Sequence, residues 1–299
     1  MRVPNCTELT DRGVLSIAGE DARTFLQGLI SNDVRKVSAS RAVYSALLTA
    51  QGKYLHDFFL LARNGELLLD CEKARAADLL KRLGMYRLRS KVNLANSGER
   101  YRILACYGDG AAERFGLAST SGQADVFADG VAYVDPRLAS LGVRVLLPRD
   151  AGLDSIARLG FAAADLEVYD RHRLTEGVPD GSRDLIVDKS ILLENGFDEL
   201  NGIDWDKGCY IGQELTARTK YRGLIKKRLM PVSVDGPLPA PGTPIALGDD
   251  EAGEMRSGLD GQGLALLRLE AIDKAAAAAQ PLTAAGAAIR PVKPGWAKF

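Results

Sequence analysis

The sequence predicts an α+β fold, with two ferredoxin-like β-α-β-β-α-β domains built on antiparallel sheets and a C-terminal β-barrel. Three observations carry this. Strand and helix signals alternate along the first part of the chain in β-α-β-β-α-β runs. No G-x-G-x-x-G or G-x-x-x-x-G-K-S/T stands at a strand-to-helix turn, so a doubly wound nucleotide-binding sheet has no support. From about residue 229 the texture becomes rich in Pro and Gly with short apolar runs between turn signals, which suits a small barrel. A chain of 299 residues is long for one core and divides naturally into domains of about 100 residues. We place residues 1–228 in the ferredoxin-like region, with its internal boundary open, and residues 229–299 in the barrel.

The elements follow in order. "GVLSI" reads as a strand, and "EDARTFLQGLIS" sets Ala22, Phe25, Leu26, Leu29 and Ile30 at helical spacing behind two acids. "AVYSALLTAQGKYLHDFFLLARNGELLLDC" reads as three strands broken at "QGK" and at the hairpin signal "RNGE". The helix "EKARAADLLKRLGMY" and the strands "KVNLAN" and "RYRILACYG" come next. In the middle, "DGAAERFGL" is a short helix and "GVAYVD" and "GVRVLLP" are strands. "AAADLEVYDRHRLTEGVP" is a helix stopped by Gly177 and Pro179. The Ala-rich stretch from Ala275 to Ala288 is expected to be a hairpin of the barrel.

The 39 basic and 39 acidic residues cancel, so there is no overall attraction to nucleic acid or to an anionic membrane. No run approaches the roughly 20 apolar residues of a membrane span. The first residues have neither a signal-peptide core nor an Arg- and Ser-rich transit helix, so the expected location is the cytoplasm. Four cysteines (Cys6, Cys71, Cys106 and Cys209) and two histidines make no C-x-x-C or other metal motif, and no metal site is expected. Cys71 and Cys106 end apolar strand-like runs, where a cysteine acts as a small buried hydrophobe.

Cys209 differs from them. It lies in "DWDKGCYIGQELTARTKYRGLIKKR", residues 204–228, between Gly208 and Gly212 and beside Lys207, just ahead of a helix-like run. Glu214 and Arg218 are spaced to pair on that helix. A thiol before a helix N-terminus and next to a cation favours its thiolate, whereas the plain alternative is a small residue packing where a loop enters a helix. Arg218, Lys220, Arg222, Lys226, Lys227 and Arg228 then crowd eleven positions without an acid, which suits either a solvated face or a small anionic ligand.

"KGCYIGQE", followed by "TART" and "YRG", resembles the signature of the YgfZ/GcvT family of folate-binding proteins, in its cysteine-bearing YgfZ branch that serves iron–sulfur proteins. "FLQGLISNDV", "LLTAQGKYLHDFFL", "YRLRSKVNL", "EGVPDGSRDL" and "LLENGFD" resemble further family blocks in the family's order, so the likeness covers nearly the whole chain.

The resemblance implies that the two ferredoxin-like domains and the barrel form a ring around a central tetrahydrofolate pocket. It matches Glu194 of "ENG" to the glutamate that grips the pterin, a role a carboxylate fills by accepting two N–H groups. Arg222 is assigned to the folate's glutamate tail, and Asn32 and Asp33 to the rim. Cys209, with Lys207, becomes the working thiol, within a signature completed by Gly208, Tyr210, Gly212, Gln213, Glu214 and Arg218. The implied function is that of a folate-binding accessory factor for assembly or repair of iron–sulfur clusters, whose partners are client proteins or the assembly machinery. The alternative is folate-dependent aminomethyl or methyl transfer, as in the glycine-cleavage enzymes of the same family. Those enzymes carry an aspartate where this chain has Ala95 and Asn96, and neither residue can act as a general base.

Overall fold

The protein is described by a computed structural model over residues 3–223 and 225–298. It divides into two compact units. The first comprises residues up to Leu48, Leu55–Tyr169 and Leu200–Ile211, and the second comprises Thr49–Tyr54, Asp170–Glu199 and the chain from Gly212 onward.

The first unit follows the expected alternation with additions. Its elements are β1 (Asn5–Glu8), β2 (Arg12–Ala18), α1 (Ala22–Gln27), β3 (Val43–Leu48), β4 (Tyr54–Arg63), β5 (Glu66–Glu72), α2 (Ala76–Met85) and β6 (Asn93–Asn96). They continue with β7 (Tyr101–Tyr107), α3 (Ala111–Arg114), β8 (Ala124–Phe127), β9 (Gly130–Val134), β10 (Val143–Pro148), α4 (Asp154–Arg158) and β11 (Ala162–Ala163). One sheet has the order β3-β4-β5-β2-β6, a strand more than the β-α-β-β-α-β pattern. The turn between β4 and β5 puts Asn64 and Gly65 at φ 49° and 79°, the pair a tight hairpin requires.

The other sheet has the order β11-β1-β7-β10-β9-β8. Its β1, from the chain's beginning, pairs antiparallel with β7 and parallel with β11. Sequence reading missed β1 because "NCTE" is short and polar, and only partners on both sides make it a strand. It also ran the helix of residues 162–179 too far forward. Ala162 and Ala163 form β11, and the helix α5 (Leu166–Glu176) starts after them.

A buried ion cluster joins the two sheets of this unit. Asp70 on β5, fully buried, accepts from Arg12 Nε at 2.6 Å, Arg144 Nη2 at 2.7 Å and the Tyr133 hydroxyl at 3.1 Å. Arg12 lies on β2 of the first sheet, whereas Arg144 and Tyr133 lie on β10 and β9 of the second. The Phe59 ring sits beneath three guanidinium groups, with Arg144, Arg137 and Arg12 at 4.2, 4.9 and 5.6 Å from its centroid. Burial pushes the Asp70 carboxyl up, and Arg12 and Arg144 together overcome it, holding the group below its ordinary value.

The second unit holds the end of α5, then α6 (Gly181–Asp184), α7 (Gln213–Tyr221), β12 (Lys227–Asp235), β13 (Pro244–Leu247), β14 (Asp250–Leu259), β15 (Gln262–Arg268), α8 (Leu269–Ala277), β16 (Leu282–Ala284) and β17 (Ala287–Pro291). The six strands close in the order β12-β15-β14-β13-β16-β17. Ile245, Ala252, Met255, Ala265 and Leu267 are fully enclosed in its core. The Ala-rich stretch is not one hairpin. Its first residues finish α8, as alanine's helix propensity favours, and only Ala284–Ala287 make the turn between β16 and β17.

The barrel begins two residues before the expected boundary, but its compact unit also takes residues 49–54, 170–199 and 212–226 from the region assigned to the ferredoxin-like part. Arg173 shows why. Its buried guanidinium bonds Asp184 at 2.9 Å and the hydroxyl of Ser257 on β14 at 2.8 Å, and Asp184 accepts from the same hydroxyl at 2.6 Å. Charged partners thus bind the segment from Arg173 to Asp184 to the barrel, and residues 49–54 join the unit through backbone bonds of Tyr54 with Asp188 and Ser190.

Asp70→Asn removes the buried carboxylate that Arg12 and Arg144 share and is expected to destabilise the first unit by about 3–5 kcal/mol. Urea unfolding of the variant beside the wild type measures this, and an unchanged midpoint would remove the cluster from the account of stability.

Candidate functional site

The loop that carries Cys209 is part of the first unit and is held there largely by side-chain bonds to backbone groups. Ser31 Oγ donates to the Gly202 carbonyl at 2.6 Å, and Asp204 N–H donates to the Ser31 carbonyl at 3.0 Å. Asn32 Nδ2 donates to the carbonyls of Asn201 and Tyr44 at 2.8 and 2.7 Å. Lys36 pairs with Asp204 at 2.6 Å, and Asp204 turns the loop by accepting from Asp206 N–H at 2.9 Å. These bonds consume the polar atoms of Asn32, whose carbonyl oxygen takes the Asp33 N–H. Asn32, expected at a ligand rim, is a stitch between β3 and the loop.

Two further ties flank the cysteine. Lys207 Nζ donates to the carbonyls of Gln27, at 2.8 Å, and Ile30. It also lies 5.0 Å from the Tyr210 ring centroid. On the other side, Ile211 N–H donates to the Gly28 carbonyl at 3.2 Å. Gln27 is doubly used, donating to the Lys207 carbonyl at 3.2 Å and accepting from Val34 N–H at 2.9 Å. Gly208 takes φ +89°, a conformation that a side chain rarely adopts. Between these ties Cys209 is exposed, while Cys71 and Cys106 are buried.

The geometry changes the expected role of Lys207. Burial lowers its pKa to about 8, with Asp33 and Asp204 opposing the shift, and its ammonium is engaged by carbonyls at the end of α1. Lys207 is an anchor of the loop. Cys209 lies four residues ahead of α7, which starts at Gln213 behind Gly212 at φ +83°, so it is a loop residue and not the helix cap. Asp33 is committed too: the Arg35 guanidinium forks onto its carboxylate at 2.7 and 3.0 Å and holds its pKa at about 2.

The second unit holds the other candidates. Glu194 lies in a single 3₁₀ turn, Leu192–Asn195, set by the buried Leu192 and Leu193 and closed by Gly196 at φ +73°. Lys53 is bridged to Ile191, and Arg228 donates to the Leu193 carbonyl at 2.9 Å, so the turn is held from both sides. The Glu194 carboxyl is half-buried and accepts no hydrogen bond among the described residues. Burial raises its pKa, and Lys227, Lys53 and Arg228 only partly offset that. Lys53 and Lys227 were not foreseen as its neighbours, because nothing in local spacing brings them to the turn.

The run of cations does not form one anion patch. Folding supplies acids from elsewhere: Lys220 meets Asp198 at 3.0 Å, Arg228 meets Glu199 at 3.0 Å, and Lys227 lies 3.8 Å from Glu251. Arg218 pairs with Glu214 along α7, as the spacing predicts. Arg222, just past the end of α7, is exposed and has no side-chain partner among the described residues. Gly52 is required here for room, since a Cβ there would stand 2.9 Å from the Gly212 carbonyl.

Comparison with known proteins adds the following. Residues 226–299 match the family model "CAF17, C-terminal beta-barrel domain". The chain is 38% identical over 287 residues to "Iron-sulfur cluster assembly factor IBA57, mitochondrial" of Homo sapiens, covering 89% of this chain and 78% of that protein. Its counterpart in Mus musculus is 36% identical with the same coverage, and the homologue in Aspergillus fumigatus is 32% identical over 88% of this chain and 69% of that protein. Among solved structures, the glycine cleavage system aminomethyltransferase T from Bartonella henselae superposes with a TM-score of 0.77 over 98% of this chain and 86% of that one, at 14% identity. At that identity the likeness establishes the fold.

Lys207→Met leaves two carbonyls unpaired, and the loop is expected to loosen by about 1–3 kcal/mol. Hydrogen exchange at the Asp204 and Ile211 amides should accelerate about 5- to 150-fold. Unchanged protection would mean that the ammonium does not anchor the loop.

Proposed function

This chain belongs to the family of the iron–sulfur cluster assembly factor IBA57, and from that premise we propose that it is an assembly or repair factor for iron–sulfur clusters that acts through Cys209 and binds tetrahydrofolate. The observation that carries the reading is the exposed Cys209 held between the ties of Lys207 and Ile211. A thiolate is the protein ligand of iron in such clusters, and a cluster takes about four of them. Among the described residues no group of three or more metal-ligating side chains converges. Cys209 therefore fills one position on a cluster whose remaining ligands come from the protein that delivers or receives it. A rigid loop suits this, because it presents the sulfur at a fixed place without spending ordering entropy on each encounter.

The folate part of the proposal rests on Glu194. A half-buried carboxylate without a hydrogen-bond donor fits the paired N–H groups of a pterin edge, and the exposed Arg222 suits a carboxylate tail. Asn32 and Asp33 do not fit a ligand-binding role, since their polar atoms are taken up within the protein. Tetrahydrofolate, when bound, supplies a reduced pterin that carries one-carbon units. Glu194 orients it, and the three cations around Glu194 favour the charged carboxylate that accepts its donors. The relatives' names place those proteins in mitochondria; a cytoplasmic location belongs to the proposal for this chain and is checked by fractionation.

The fold it shares with an aminomethyltransferase defines the competing reading. Ala95 and Asn96 lie on β6, opposite Ser16 and Leu15, where neither offers an acid. Transfer of a one-carbon unit from a methylamine donor to tetrahydrofolate by the purified protein would favour that reading.

In cells lacking the protein, Cys209→Ser is expected to leave client iron–sulfur enzymes inactive, while Cys71→Ser restores them. Full client activity with Cys209→Ser would overturn the thiol's role. Glu194→Gln is expected to weaken tetrahydrofolate binding about 5- to 150-fold, the equivalent of about 1–3 kcal/mol, in a calorimetric titration. Equal affinity would remove Glu194 from the pocket.

A further inference from the structure

Cys6 and Cys106, which the function above does not use, are directly opposed in the antiparallel register of β1 and β7. Opposed residues in such a pair have Cα atoms about 4.5–5.5 Å apart, inside the range of about 4.4–6.8 Å that a disulfide accepts. Their sulfurs stand 3.0 Å apart as free thiols, so a bond needs an approach of about 1 Å. Cys6 is partly exposed and Cys106 is fully buried. We propose that this pair is a reversible redox site, in which oxidation by a small disulfide such as oxidised glutathione staples β1 to β7.

The exchange balances in two steps. The accessible Cys6 loses its proton and attacks one sulfur of the oxidised glutathione, forming a Cys6–glutathione mixed disulfide and releasing one glutathione thiolate. Cys106 then gives up its proton and attacks Cys6 Sγ. The Cys6–Cys106 bond forms and a second glutathione thiolate leaves; both leaving thiolates take up protons. Two protein thiols have lost two electrons, and the small disulfide has become two thiols. Burial, and then the neighbouring Cys6, raise the pKa of Cys106, so it waits as a thiol and acts only as the resolving partner. Cys71 stays out of the exchange, being enclosed in β5 with its thiol pushed up to about 12, mainly by burial.

The consequence follows from the sheet order. β1 is the strand that links β11 to β7, and the loop a 6–106 bond closes contains every strand of the other sheet in this unit. Closing so long a loop removes many conformations from the unfolded chain. The bond also prevents β1 from peeling away from β7, adding a covalent tie to the contact between the Thr7 and Tyr107 hydroxyls at 3.2 Å and the Glu8–Arg102 pair at 3.8 Å.

The experiment uses the full chain carrying Cys209→Ser, so that the exposed thiol cannot report. The folded protein is incubated with oxidised glutathione, alkylated after unfolding, and followed by intact mass, peptide mapping and thermal unfolding. The expected result is loss of two hydrogen masses, a cross-linked peptide joining residues 6 and 106, and a melting temperature raised by about 10 °C and reversed by a reductant. Adding Cys6→Ser, a change at a partly exposed position, should abolish all three. A glutathione adduct that persists on Cys6, thiols that are both still alkylated, or an unchanged melting temperature would overturn the proposal.

Discussion

The Asp70 carboxylate, clasped by Arg12 from one sheet and Arg144 from the other, is the interaction on which the first unit depends. Such a cluster gains its strength from completeness, because each buried charge is costly alone and tolerable only when paired. Its influence reaches the site through a short chain of contacts. The guanidinium groups fix Phe59, whose ring packs against Tyr44 at 5.1 Å. The Tyr44 carbonyl takes the Asn32 amide, which also holds Asn201 at the start of the Cys209 loop. A run of contacts thus connects a core carboxylate with the loop that presents an exposed sulfur.

The loop itself solves a local problem. Exposed cysteines on flexible segments sample many positions, and an encounter with a partner would have to order them. Here the Lys207 ammonium on one side of Cys209 and the Ile211 amide on the other are tied to carbonyls around the end of α1, and Gly208 between them takes φ +89°. The same economy limits what the chain does alone. Under the proposed function, one exposed thiol supplies one cluster ligand and a partner supplies the others.

Much of this was legible in the sequence. The hairpin at Asn64–Gly65, the helix after Cys71 and the barrel from about residue 229 follow from period and turn chemistry, which are local. The Glu214–Arg218 pair was legible for the same reason. β1 was not, because four polar residues become a strand only between β7 and β11. Lys207 stands only two residues from the thiol in sequence, but its ammonium turns to carbonyls some 180 residues away. The cation run looked like an anion site because its acids, Asp198, Glu199 and Glu251, lie outside the run. Spacing reports neighbours along a helix or strand; it is silent on ion pairs closed by the fold.

In the proposed function, Cys209 provides a single, pre-placed ligand to a cluster completed by others. This role is tested most directly by titrating the protein with an iron–sulfur cluster coordinated by glutathione, in which a small thiol stands in for the partner's ligands, while recording visible circular dichroism. The expected result is a saturable induced signal at one cluster per chain that is absent in Cys209→Ser. An equal signal in that variant, or none with the wild-type protein, would contradict it.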